Sequence, residues 1–331
     1  MMTLQQFLRE WNDGGERILV HTSGSTGAPK PLWVEKRRME ASARITCDFL
    51  GLHEGDTALL CMPLDYIAGK MMVVRSLVRG LRLLSVEPSG HPLANVQTKV
   101  DFAAMVPLQV WNSLQVETER ERLRAIGNLI IGGGAIDDQL AAELRGFPNA
   151  VWSTYGMTET LSHIALRRLS GSGASEWYTP FEGVDVSLSP DGCLVIEAPQ
   201  VCAERLVTND LAELTLKPHT QQKMFRILGR RDNVVCTGGL KIQIEEAERL
   251  LRPNLRDAFL ITKCRDKRLG EAMVLLTEGS VDDELRQLCH RVLPPHWAPR
   301  HYVHVARLPQ TETGKPARAE AQRIASQACQ N

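Results

Sequence analysis

His21-Thr22-Ser23-Gly24-Ser25-Thr26-Gly27-Ala28-Pro29-Lys30 packs four hydroxyls, two glycines and a lysine into one loop. Glycine lets a backbone turn tightly and bring its N–H groups close to a ligand. Successive N–H groups in such a turn make an anion-binding concavity, and a lysine adds a point charge. This is a chemistry suited to polyphosphate. The stretch is not a Walker A loop, which requires G-x-x-x-x-G-K-[ST]. Here Pro29 and Pro31 bracket Lys30, and no hydroxyl follows it. On composition alone, a plain Ser/Gly surface turn reads equally well. The flanks favour a built loop, because residues 17–20 read as an entering strand and residues 32–34 as a departing one.

Outward from the loop, the chain alternates short apolar strands with helical stretches. Residues 36–50 suit a helix stopped by Gly51, and residues 67–79 a helix stopped by Gly80. Strands are expected at 57–62, 81–86, 102–106, 129–131 and 150–153. Such alternation predicts an α/β sheet. Between about 175 and 229, short alternating segments with Pro and Gly turns predict a small antiparallel β-rich subdomain. After Arg231-Asp232 the pattern is mixed, with helices at 245–251 and 282–292 and strands at 258–262 and 273–277. The expected division is therefore 1–231 and 232–331, the second part being a small mobile α+β domain.

Composition narrows the classes of function. The chain has 331 residues, and its 39 basic and 39 acidic residues cancel. No overall positive field gathers nucleic acid or anionic lipid. No apolar run suits a bilayer span, and the N-terminus lacks the pattern of a signal peptide. The cysteines at 47, 61, 193, 202, 236, 264, 289 and 329 form no C-x-x-C pair and no zinc spacing. They read as free thiols of a cytoplasmic protein, each a small buried hydrophobe.

Further motifs follow in order. Ile131-Gly132-Gly133-Gly134-Ala135 is a weak signal by itself, equally a glycine turn between strand and helix. Tyr155-Gly156-Met157-Thr158-Glu159-Thr160 combines an aromatic that can stack on a purine, hydroxyls for phosphate, and a carboxylate for Mg²⁺. With the loop at 22–30, it resembles the AMP-forming adenylating enzymes, which include acyl-CoA synthetases, peptide-synthetase adenylation domains and luciferase. Val207-Thr208-Asn209-Asp210 is similar to that family's T-G-D segment, with Asn209 replacing glycine. Leu228-Gly229-Arg230-Arg231-Asp232 resembles G-R-x-D, and Thr237-Gly238-Gly239-Leu240-Lys241 the glycine-rich segment after it. Pro309-Gln310-Thr311-Glu312-Thr313-Gly314-Lys315 resembles P-x-T-x-x-G-K.

The resemblance spans residues 22–315 and implies a set of roles. Thr22, Ser23, Gly24, Ser25, Thr26, Gly27 and Lys30 would hold pyrophosphate. Gly133, Gly134, Tyr155, Gly156, Asp210 and Arg230 would bind the nucleotide, the last two through the ribose. Thr158, Glu159 and Lys315 would be catalytic, with Glu159 also the metal residue and Asp232 the hinge. ATP, Mg²⁺, coenzyme A and a small carboxylic acid are the implied ligands. One departure stands out. A long segment usually precedes the phosphate loop in this family, whereas 21 residues do here. The two expectations are a compact fold, or a chain that relies on a partner subunit to complete its sheet and pocket, a homo-oligomer being one such arrangement.

Met62-Pro63-Leu64-Asp65-Tyr66-Ile67-Ala68-Gly69-Lys70 resembles the L-P-L-x-H-x-x-G segment of acyl-CoA ligases, with Tyr66 in place of histidine. The Arg75 that follows, and Ser162-His163, resemble the o-succinylbenzoate-CoA ligases of menaquinone biosynthesis. That acid carries a second carboxylate, for which Tyr66, Lys70, Arg75, Ser162 and His163 are the candidate residues. The alternatives are an exposed helix face for Lys70 and Arg75, and a structural role for His163. At the level of function the alternatives are a carrier-protein-loading enzyme and a non-catalytic nucleotide-binding relative.

Overall fold

The computed structural model describes residues 2–21, 31–311 and 315–329. Helix α1 (Leu4–Trp11) opens on a capping box between Thr3 and Gln6, then leads to an antiparallel hairpin of β1 (Arg17–His21) and β2 (Pro31–Glu35). The expected strands on either side of the loop are thus present, paired with each other. Helix α2 (Lys36–Leu50) buries Met39, Ala43, Thr46, Cys47 and Leu50, a spacing that puts one stripe against the core. Gly51 ends it at a φ of 63°, the left-handed conformation in which glycine carries no Cβ penalty.

A seven-stranded sheet follows, ordered β4-β3-β5-β6-β7-β8-β9. Its strands are β3 (Thr57–Leu60), β4 (Arg82–Ser85), β5 (Phe102–Met105), β6 (Asn128–Ile131), β7 (Ala150–Gly156), β8 (His163–Arg168) and β9 (Thr179–Pro180). The pairs from β4 to β7 are parallel, and those from β7 to β9 antiparallel. Helices α3 (Ile67–Arg79), α4 (Pro107–Gln115), α5 (Glu117–Ala125) and α6 (Asp138–Arg145) fill the crossovers. Strands β3 and β5 are buried at every position, as expected for a sheet covered on both faces. A four-stranded antiparallel sheet comes next: β10 (Asp185–Leu188), β11 (Cys193–Glu197), β12 (Leu206–Leu216) and β13 (Lys223–Arg230).

A 3-10 turn at Arg231–Asn233 leads into a third, five-stranded sheet. It comprises β14 (Val234–Thr237), β15 (Leu240–Gln243), β16 (Phe259–Asp266), β17 (Gly270–Thr277) and β18 (His301–His304). Helices α7 (Ile244–Leu251) and α8 (Asp283–Val292) bury apolar residues with one face of this sheet, and α9 (Arg318–Ala328) with the other. The apolar core running from Phe7 to Phe225 shares no buried residue with these two later clusters. The fold is the expected mixed α/β one, with a β-rich part between two sheets.

The cysteines depart from expectation. Cys47, Cys61, Cys193, Cys264 and Cys289 are buried, but Cys202 and Cys329 are half-buried and Cys236 is exposed. No helix among the described residues is long and apolar enough to cross a membrane.

Candidate active site

Parallel strands deliver their C-terminal ends to one edge of a sheet, where α/β proteins place their ligands. β3, β6 and β7 run in parallel, so the segments following them leave from the same edge. Those segments are Met62–Gly69, Gly132–Ala135 and Tyr155–Thr160. Gly133 takes a φ of 81°, which makes a glycine necessary at that turn. Gly134 follows it and leads toward α6.

The Tyr155 segment shows how backbone geometry builds the site. β7 pairs Gly156 with His163 of β8, with a bulge at Tyr155/Gly156. A Cβ on Gly156 would lie 2.1 Å from the Ser162 carbonyl oxygen, so only glycine permits this approach. Between them, Thr158–Thr160 form a 3-10 turn, and Leu161 reverses the chain at a φ of 65°. Thr158 is buried and Glu159 exposed. Glu159 forms no hydrogen bond or ion pair with the described residues. An exposed, uncommitted carboxylate suits a hard cation that keeps several waters.

Tyr155 Oη donates to Asp210 Oδ2 at 2.6 Å. Its ring packs edge-on against Phe225, with centroids 5.0 Å apart. Burial, and then the Asp210 charge, push its hydroxyl well above the ordinary range. Asp210 and Arg230 face each other across β12 and β13, and Arg230 Nη1 donates to Asp210 Oδ1 at 3.3 Å. Arg230 Nη2 also donates to Asp232 Oδ2 at 3.0 Å, and Asn209 Nδ2 to the same oxygen at 3.4 Å. Tyr155, Asp210 and the pair Arg230 and Asp232, read from three motifs, thus form one polar chain. Asn209, which replaces the family's glycine, is part of it.

A second cluster lies deeper. Arg75 is only 2% exposed and therefore not on an open helix face. Its Nη2 donates to Ser162 Oγ at 2.6 Å. His163 Nδ1 is 3.1 Å from the same Oγ, and Nε2 is 3.1 Å from Thr46 Oγ1. Thr46 donates its only hydroxyl proton to the Ser42 carbonyl. It must therefore accept from His163 Nε2–H, which leaves Nδ1 to accept from the Ser162 hydroxyl. The network thus assigns a neutral Nε2–H imidazole. The same state follows from energetics, since burial and then the Arg75 charge hold His163 well below the ordinary histidine range. Burial also drags the Arg75 guanidinium down to about 10. No carboxylate among the described residues pairs with it, and its buried Nε has no partner.

Lys70 is also buried, but it does not join this cluster. Its Nζ donates to the Leu19 carbonyl at 2.8 Å and lies 5.9 Å from the Phe7 ring centroid. It steadies β1 two residues before His21. Tyr66 sits at the N-cap of α3, half-buried. Lys315 is half-buried, and burial lowers its ammonium below the ordinary lysine range. Its backbone pairs with Thr311, and no hydrogen bond or ion pair joins it to Glu159, Asp210 or Arg75 among the described residues. Thr22, Ser23, Gly24, Ser25, Thr26, Gly27 and Lys30 lie outside the described residues. Thr46 is the residue that sequence reasoning missed. Its signal was a hydroxyl on the apolar stripe of α2, one turn after Ser42.

A family model described as AMP-binding enzyme matches residues 16–188, just over half of the chain. An acyl-CoA synthetase (AMP-forming)/AMP-acid ligase II-like protein from Dyadobacter fermentans is 31% identical. The match covers 95% of this chain and 92% of that one, with a TM-score of 0.63. The o-succinylbenzoate coenzyme A synthetase (MenE) of Bacillus subtilis, solved with ATP and magnesium ion, shares the fold. Its TM-score is 0.73 at 23% identity, over 91% of this chain and 69% of that one. A 2-succinylbenzoate–CoA ligase of Bacillus cereus is 24% identical over 92% of this chain and 69% of its own length. The family match takes in the glycine turn, the Tyr155–Glu159 turn and the Arg75 cluster. The chain therefore belongs to the AMP-binding enzyme family.

Proposed function

We propose that this protein is a cytoplasmic ATP-dependent ligase that converts o-succinylbenzoate to its CoA thioester for menaquinone biosynthesis. The observation that carries the choice of acid is Arg75. A buried guanidinium with no counter-charge among the described residues is costly, and a second carboxylate on the substrate would supply that charge. Ser162 and neutral His163 beside it offer polar contacts without adding a competing charge. A monocarboxylic acid would leave the cation unpaired. The curated relatives of similar sequence that carry this activity support the same reading.

The chemistry falls in two halves. A carboxylate oxygen of the acid attacks the α-phosphorus of ATP, and the bond to pyrophosphate breaks. The CoA thiolate then attacks the acyl carbon and AMP leaves. Residues 22–30 hold the departing pyrophosphate in this reading. Asp210 and Arg230 take the ribose, and Tyr155 orients Asp210. Glu159 fits as the residue toward Mg²⁺, which when bound would neutralise phosphate charge. Lys315, whose amine is depressed by burial and engaged by no carboxylate among the described residues, brings a positive charge to the α-phosphate. The chain divides at 231/232, and the 232–331 part swings about Asp232 between the two halves. The separate apolar cores on either side of that point support the division.

Pyrophosphate release and thioester formation should be measured with ATP, CoA and a panel of aromatic mono- and dicarboxylic acids. The expected result is turnover with o-succinylbenzoate well above benzoate. Pyrophosphate release without a CoA thioester would make the protein a carrier-loading enzyme instead. Release with monocarboxylic acids alone would refute the role of Arg75.

A further inference from the structure

Outside the site just described, one cluster of metal-ligating side chains stands apart among the described residues. Cys264, His301 and Cys329 bring their ligand atoms to within 4.8 Å of one another. They come from three elements. Cys264 lies on β16, His301 begins β18, and Cys329 caps the C-terminus of α9. The fold explains the meeting. Cys264 pairs with Ala272 on β17, and His301 pairs with Val274 on the opposite side of the same strand. Ala272 and Val274 point to the face that α9 covers, where Ala321 and Ala325 are fully buried. These small residues bring α9 close to the sheet, and its last turn delivers Cys329 to the other two.

We propose that Cys264, His301 and Cys329 form a binding site for a borderline-soft transition-metal cation of the Zn²⁺ class. Two thiolates and an imidazole suit that class, and a hard oxygen-seeking cation is not favoured by them. Zn–S bonds of about 2.3 Å place tetrahedral ligand atoms roughly 3.8 Å apart, so closure needs contraction of no more than about 1 Å. The C-terminal end of α9, with its partial negative charge, also favours a cation. Cys264 is buried, whereas His301 and Cys329 are half-buried, so the fourth position opens toward solvent. A bound ion would staple α9 to the sheet. Arg318 anchors the other end of that helix through Glu248, with Nη1 at 2.7 Å from Oε1, three residues after Lys315.

A disulfide between Cys264 and Cys329 is the competing chemistry, but it makes no use of His301. The test takes full-length protein, reduced and stripped with chelator, and titrates it with Co²⁺ and then Zn²⁺. The expected result is a cobalt–thiolate charge-transfer band saturating at one equivalent and abolished by Zn²⁺. Cys329→Ser should roughly halve the band and weaken binding at least tenfold. His301→Gln should keep the sulfur band but also weaken binding. Zn²⁺ should raise the unfolding temperature of the wild type and not of Cys329→Ser. Cys329→Ser is the main probe because it lies at the chain's periphery, where a fold defect is least expected. The proposal is overturned if no band appears or if Cys329→Ser leaves it unchanged. It is also overturned if unreduced protein, digested and analysed by mass, carries a Cys264–Cys329 crosslink and no metal.

Discussion

Replacing Arg75 with Met separates a binding cation from a structural one. Met keeps the apolar stem as far as the Nε position but removes the charged end of the guanidinium. In the unliganded protein the guanidinium is held at about 10 against an ordinary 12.5, chiefly by burial. That gap corresponds to about 3 kcal/mol of unfavourable burial. Against it stands the bond to Ser162 Oγ, worth about 1.5–3 kcal/mol for a charged donor. The net expectation for Arg75→Met, by urea denaturation without ligand, is no loss of stability, or a gain of up to about 2 kcal/mol. A cation that is one half of a buried ion pair behaves oppositely, losing about 3–5 kcal/mol on removal. For the acid, truncating a buried charge partner costs about 2–5 kcal/mol, which lowers kcat/KM for o-succinylbenzoate roughly 30- to 5,000-fold. The KM for ATP should stay within a few-fold. A strongly destabilised variant with unchanged acid kinetics would refute the reasoning and make Arg75 a structural residue.

Lys315→Ala should lower the first half-reaction, followed by pyrophosphate exchange, by at least about 100-fold, with ATP affinity within a few-fold. Exchange that persists removes Lys315 from the chemistry. His163 gives a pH dependence with a definite sign. Its folded-state pKa lies below its unfolded value, so the unfolded chain takes up a proton that the native protein refuses. Stability is therefore full above the unfolded pKa near 6.5 and falls as pH drops, by up to about 1.4 kcal/mol per pH unit. His163→Gln should remove that component, and parallel stability curves for the two proteins between pH 7.5 and 5 would show that His163 does not carry it. Gly156→Ala would set a Cβ 2.1 Å from the Ser162 oxygen. It should cost more than about 2 kcal/mol and suppress adenylation, because β7 and β8 must separate. An active variant of wild-type stability would place the glycine outside any structural need.

Local rules made much of the framework legible. Apolar runs and glycine stops located β3, β5, α2 and α3, because each is decided within its own segment. The pairing of β1 with β2 was not, since two strands flanking a loop do not announce that they are hydrogen-bonded to each other. Lys70 and Arg75 show a different limit. Five residues on a helix turn the side chain by about 140°, so the spacing separates them. Their burial, with Lys70 turned to Leu19 and Arg75 to Ser162, depends on β1 and on the turn before β8, which are remote in sequence. Thr46 meets His163 across 117 positions. Cys264, His301 and Cys329 lie 37 and 28 positions apart, too far for any ligand spacing to be recognised before the β16–β17–β18 register is known.

One turn couples the two clusters, and Leu161 is its pivot. A leucine at a φ of 65° and a ψ of −34° carries strain of roughly 1–3 kcal/mol. Its side chain is 2% exposed, and burying a leucine contributes about 1.5–3 kcal/mol. The packing of Leu161 is of the same size as the strain, offsets it and holds the reversal. Residues before it, Thr158 and Glu159, face the nucleotide in the proposed assignment, and those after it, Ser162 and His163, face the acid. Leu161→Ala keeps the Cβ, and so the strain, but gives up most of the anchor. It should destabilise by at least the about 3 kcal/mol typical of a buried Leu→Ala change. Leu161→Gly loses the same packing but relieves the backbone, so it should be the less active-site-disrupting of the two despite being the larger truncation. In Leu161→Ala the KM values for ATP and for o-succinylbenzoate should rise together, whereas Arg75→Met raises only the second. Independent movement of the two KM values in Leu161→Ala would mean that the clusters are set by separate parts of the fold.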